Sequence, residues 1–219
     1  MTRPSTGTST GIFFPALGSY QAFAGQCAAL SLIKQRNLNL LFPASDTIHI
    51  LDGFPIPVCH ACRGHRCRTF RGEAAWGYCA TKKEHFYGLR GHLVITLAGT
   101  AVAFTVTAAN VDERDVVPNL YDKVLLIGDK GFISGELKAE AAAHDIDLQT
   151  PLRKNMPDDR DPGAVARLMR TRRAVETAIG KLSEMFAAQT TKARDLPGFV
   201  NRMARKLLAD NFSLMAAQS

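Results

Sequence analysis

The sequence predicts an α/β protein, a mixed five-stranded sheet with helices on its faces, and three observations carry that reading. Two apolar, β-branched runs, Ile48-His49-Ile50-Leu51 and Val124-Leu125-Leu126-Ile127, each give way to an aspartate with glycine beside it, Asp52 and Asp129. That is the pattern of a buried strand ending in a carboxylate. Two further apolar runs, residues 86–97 and 101–107, flank Ala98-Gly99-Thr100, a hairpin signal with glycine in a tight turn. Residues 164–188 carry Leu168, Val175, Ile179, Leu182 and Phe186 at helical steps, one apolar stripe on a long helix.

The elements follow in order. Residues 1–12 are rich in Ser, Thr, Gly and Pro and read as a disordered segment, and 13–45 as a short helical preface built on 20–32 and 36–41. A single domain is expected over 46–219. Its first strand is expected at 47–51. Residues 55–80 hold Gly, Cys and Arg without a period and read as a loop or irregular insertion. After the hairpin, residues 112–121 suit a short crossover helix with Asp112, Glu113 and Asp115 at its positive end. The fourth strand is 124–127. Residues 134–144 form an Ala-rich helix with Ser134 as N-cap, 147–150 a fifth strand stopped by Pro151, and 153–163 a polar linker before the long helix. A last helix spans about 196–217. This order is compatible with the ribonuclease H fold and with other three-layer α/β arrangements.

The formal net charge is +7 and the sequence pI about 9.3, which favours a polyanionic partner over an acidic small molecule. From residue 160 to 206 there are eleven basic and four acidic residues. No stretch is apolar enough to span a bilayer, and the first ten residues lack the features of a signal peptide, so a cytoplasmic protein is expected. The five cysteines, an odd number with four between residues 59 and 79, do not suit a secreted disulfide framework.

The two aspartates at strand ends and Glu176 on the long helix form a candidate split metal site. Ligands of open α/β sheets gather beyond the carboxyl ends of the strands, where neighbouring strands bring such side chains together. Hard oxygen donors select Mg2+ or Mn2+ over Zn2+. Two such ions, about 3.5 to 4 Å apart, can activate a water or a 3′-hydroxyl and stabilise the leaving oxygen of an in-line displacement at phosphorus. Arg172, one turn before Glu176, shares its helix face and is placed to hold that carboxylate or a phosphate.

The segments LDGFPIPVC, FRGEAAWGYCATKKEHFYGLRGHL, TAANVDERD, LLIGDKGFIS, TPLRKNM, RRAVETAIGKL and ARDLPGF resemble the DDE transposases of bacterial insertion sequences, of the insertion sequence 982 type. The resemblance runs from about Phe13 to Leu208. It implies a ribonuclease H-like catalytic core, similar to that of retroviral integrases, that cuts and joins DNA at transposon ends. Asp52, Asp129 and Glu176 are then the catalytic, metal-binding triad, and the protein works as a homo-oligomer in a synaptic complex. Relatives usually open with a longer helical region, so the chain reads as N-terminally short. Gly53 stands where a small hydroxyl residue is common, Arg90-Gly91-His92 where a basic-apolar-His sequence is usual, and Met169 and Ser183 where a tyrosine and a lysine are expected.

DNA contacts are expected from Arg63, Arg66, Arg68 and Arg71 in the insertion and from Lys82, Lys83, Lys130, Arg172, Arg173 and Lys181. Trp76, Tyr78, Phe86 and Tyr87 could stack on a flipped or frayed base or belong to the core, the core being favoured for Phe86 and Tyr87, and His85 and His92 suit structural or phosphate-near positions. Cys59, Cys62, Cys67 and Cys79 with His60 and His65 offer ligands for structural zinc. A second tight C-x2-C pair is missing, so zinc is the less favoured reading. Two function classes follow: a Mg2+-dependent strand-transfer enzyme, favoured by the complete triad, or a truncated, inactive DNA-binding or zinc-binding remnant.

Overall fold

The structure, a computed structural model, describes residues 47–119, 124–190 and 192–218. The expected disordered segment, the helical preface and Cys27 lie outside them. Six strands form one sheet: β1 (Ile48–Cys59), β2 (Ala75–Cys79), β3 (Glu84–Thr96), β4 (Ala101–Ala108), β5 (Leu125–Ile127) and β6 (Asp147–Gln149). Three α-helices follow the hairpin, α1 (Gly135–Ala143), α2 (Pro162–Phe186) and α3 (Leu196–Gln218). β1 lies between β3 and β5, antiparallel to the first and parallel to the second, and β6 continues the parallel side. β3 is long enough to carry two neighbours end to end on its other edge, β4 against Leu89–Ile95 and β2 against Glu84–Gly88.

Two expectations are corrected. The sheet has a sixth strand, β2, inside the segment read as irregular. Its period is hidden because Gly77 is the middle inward position and Trp76 and Tyr78 point out, 44% and 48% exposed. The first strand runs on to Cys59 instead of ending at Leu51, so Asp52 lies within β1. Pro55 and Pro57 read as turn chemistry, yet they are accommodated in the strand. The Thr47 carbonyl accepts from Leu125 N at 2.8 Å, so odd-numbered residues of β1 direct their backbone groups toward β5. β5 pairs only with Ile48–Ile50, and the two prolines come after its end, where a missing N–H costs no ladder bond. The expected short crossover helix is present as a 3-10 helix, Glu113–Asn119, over the residues described.

The sheet separates two apolar layers. Ile50, Phe54 and Ile56 of β1, with Leu93 and Ile127, meet Val175, Ile179 and Leu182 of α2 and Phe199 and Met203 of α3. Leu51, Val94 and Leu126 face the other way, against Leu137 and Ala141 of α1. The expected stripe on α2 is thus the buried one, with Leu168 and Phe186 partly buried at its ends. α2 starts at Asp161, whose side chain accepts from Ala164 N at 2.7 Å ahead of Pro162. α1 starts at Ser134 as its sequence suggests, with Ser134 Oγ accepting from Leu137 N. α3 is tied to the sheet by Asn211, whose buried amide donates to Ala101 O and accepts from Ala101 N, both at 2.8 Å. Among the described residues no helix is long and apolar enough to cross a membrane.

Candidate active site

Register brings the two aspartates level. Ile50 of β1 pairs with Ile127 of β5, so Asp52 and Asp129 each lie two residues beyond a matched pair, and alternation turns both toward the layer that holds α2. β5 has ended there, which leaves the Gly53 N–H without a strand partner. The Asp52 carboxylate accepts it at 2.9 Å. Asp129 caps the short 3-10 turn Lys130–Phe132 by accepting from Lys130 N.

α2 supplies the third acid and the cation that joins the set. Arg172 donates to Glu176 Oε1 at 2.9 Å and lies 3.5 Å from Asp129 Oδ2. One guanidinium therefore bridges the strand-end carboxylate and the helix carboxylate. Glu176 is half exposed while Arg172 is mostly covered, so the pair points its acid outward on a fixed stem. Burial pushes the Asp52 carboxyl up to about 7; the Gly53 N–H and the charge of Arg172 pull against that rise, and the charges of Asp129 and Glu113 add to it.

Glu113 is a residue that sequence reasoning placed elsewhere, as a complement to a helix dipole. In the structure its carboxylate forms an ion pair with Arg90 of β3 and lies against Gly53. A Cβ on Gly53 would stand 2.8 Å from Glu113 Oε1, so a side chain there would have to displace the ion-paired carboxylate. Arg90 also donates to Tyr78 O at 3.2 Å, linking β2 to the site. No spacing rule joins residues 90 and 113. His92 is buried, touches Thr107 Oγ1 at 3.0 Å, and is held down to about 4 by burial and then by Arg90, so it stays neutral and structural.

All the donors at this site are hard oxygens, the chemistry that Mg2+ or Mn2+ requires. With Arg172 seated between Asp129 and Glu176, no three Asp, Glu, His or Cys side chains of the described residues converge as a metal-holding group. The same holds for the cysteines: Cys59, Cys62, Cys67 and Cys79 are free thiols. Burial and then the Cys67 thiol push Cys59 up to about 11.

The basic candidates divide by setting. Arg63, Arg66, Arg68, Arg71, Lys82, Lys83, Lys130 and Arg173 are exposed, Arg63 and Arg66 on a 3-10 turn at Ala61–Arg66. Lys181 instead pairs with the buried Asp210 at 2.7 Å. Trp76 packs edge-on against Tyr87 and over Gly64, Tyr78 lies on the His85 ring, and Phe86 is buried in the core.

No curated protein and no solved structure matches this chain. A family model described as "Transposase DDE domain" matches residues 43–196, the span that runs from just before β1 to the start of α3 and contains both aspartates, Arg172 and Glu176. A match over most of its length means that the chain belongs to the DDE-domain transposases.

Proposed function

We propose that the protein is a Mg2+-dependent transposase that cleaves DNA at insertion-sequence ends and joins it to a target, acting through a ribonuclease H-like domain over 46–219. The single observation that carries this reading is the placement of Asp52 in β1 level with Asp129 just past the end of the neighbouring parallel strand β5, with Asp129 joined to Glu176 through Arg172. Asp52, Asp129 and Glu176 would hold two divalent ions. When bound, such ions activate the attacking oxygen and stabilise the leaving one.

The chain's own contribution is placement. The β1–β5 register fixes the aspartates, and the covered Arg172 stem fixes Glu176 in the absence of metal. The strand order β4-β3-β1-β5-β6, with the first three antiparallel and the last two parallel to β1, supports the ribonuclease H-like assignment. The exposed arginines of residues 63–71 supply contacts for DNA phosphates, and a homo-oligomer would bring two ends together.

The test is cleavage and strand transfer of labelled DNA bearing the flanking element ends, in Mg2+, by the wild type beside Asp129→Ala. Activity lost in the variant with DNA binding retained is the expected result. Two proteins that bind equally and cut equally, or that bind and never cut, would sink the catalytic reading.

A further inference from the structure

A second charged surface lies along the same helix. The end of α2 and the first turns of α3 enclose a groove of about 410 Å3, and four cations line it: Lys192, Arg202, Arg205 and Lys206. Among the described residues none of the four is ion-paired. Arg202 and Arg205 stand close enough to Lys206 that burial and then their two charges hold its ammonium below its ordinary value. Arg202, Arg205 and Lys206 share a face of α3, with Lys192 ahead of the helix and the Lys206 ammonium donating to Ala187 O at 2.7 Å, and like charges gathered without an ion partner call for a polyanion. The groove floor is apolar, with the partly exposed Phe186 over the buried Phe199 and Met203.

These two properties select a ligand. Phosphates alone need no apolar floor, and an apolar small molecule needs no ring of cations. An unpaired DNA strand offers both, a row of phosphates and bases free to leave the stack. A base within a duplex reaches such a floor only after unstacking and unpairing, at a cost of a few kcal/mol. A cavity of this volume is of the size that encloses a small organic molecule, which a nucleoside is.

We propose that the groove between α2 and α3 binds unpaired DNA, with its phosphates on Lys192, Arg202 and Arg205 and a base against Phe186. This site rests on the reading of the protein as acting on DNA and assigns where a strand runs beyond the carboxylates. Phe186 follows Glu176 by ten residues on one helix, about 15 Å at the helical rise. That distance is about four to five nucleotides at the spacing of one strand in a duplex. A strand opened at the cleavage point is thereby gripped a few nucleotides away.

The experiment is fluorescence anisotropy of a labelled single-stranded oligonucleotide and of the matching duplex, in buffer with EDTA, against the wild type and Lys192→Glu/Arg202→Glu. The double variant is expected to lose at least tenfold in affinity for the single strand. Its plot of log affinity against log salt should flatten by about 1.4, two phosphate contacts at 0.7 each. Duplex affinity is expected to change less than threefold. Phe186→Ala, which alters no charge, should weaken the normal oligonucleotide and leave an abasic one unchanged. Circular dichroism confirms folding, and Lys192→Ala/Arg202→Ala gives the same ordering with smaller losses. Unchanged single-strand binding, or equal losses for strand and duplex, overturns the proposal. The chelator removes the metal from the readout: binding that ignores these variants sinks the groove alone, and binding without cleavage in the separate Mg2+ assay sinks the catalytic reading alone.

Discussion

The two aspartates beside the β1–β5 pairing and the insertion between β1 and β3 are built in opposite ways. Asp52 and Asp129 are fixed by the pairing of buried strands, and shifting either would turn a row of core side chains to the wrong face. Arg63, Arg66, Arg68 and Arg71 stand on a 3-10 turn and the chain after it, held by Gly64 beneath Trp76 and by the buried Phe70 against Phe199. The proposed catalytic triad needs fixed atoms, which paired strands supply, whereas the proposed phosphate contacts tolerate displacement.

The largest expected effect separates the two directly. Asp52→Ala should lower the cleavage rate by about a thousandfold or more, about 4 kcal/mol in the barrier, while DNA affinity stays within about threefold. Arg63→Ala/Arg66→Ala should do the reverse, and equal effects of both variants on rate and affinity would erase the contrast. Gly53→Ala tests the crowding at Glu113. It should destabilise the fold by about 1–3 kcal/mol in denaturant unfolding, and Glu113→Ala in the same chain should restore part of that loss. Additive losses would mean that the two residues do not meet.

A pH series measures how far the site is desolvated. The folded-state value of Asp52, about 7, lies above its ordinary 3.8. Stability of the metal-free protein should therefore be full below about pH 4 and decline as pH rises through 7, because ionisation is disfavoured only in the folded state. Asp52→Asn should remove that decline, gaining on the order of 2 kcal/mol at pH 8 after allowance for partial exposure, with no gain at pH 4. The smallest effect belongs to the insertion: Arg63→Ala/Arg66→Ala is expected to weaken duplex binding about tenfold at low salt and flatten the salt dependence by about 1.8.

The contrast also explains what could be read from the chain. Val124 to Ile127 is an uninterrupted apolar run, and Asp129 follows it at the predicted place; the α2 stripe and the Ser134 and Gly99 signals were equally local, and each appears where expected. The continuation of β1 was not legible, because prolines are permitted there by the early end of β5, a fact of pairing rather than of sequence. β2 was hidden by outward aromatics. The Arg90–Glu113 pair spans 23 positions and exists only because β3 and the turn after β4 come together at Gly53.

The same two prolines have a consequence for solubility. An internal strand that outruns its neighbour presents a bare edge, and a bare edge invites another chain to dock and extend the sheet. Pro55 and Pro57 withhold donors along that strip, and the Gly53 donor is already taken by Asp52. Among the described residues, the strip of β1 beyond β5 is thus poorly suited to β-pairing with another chain.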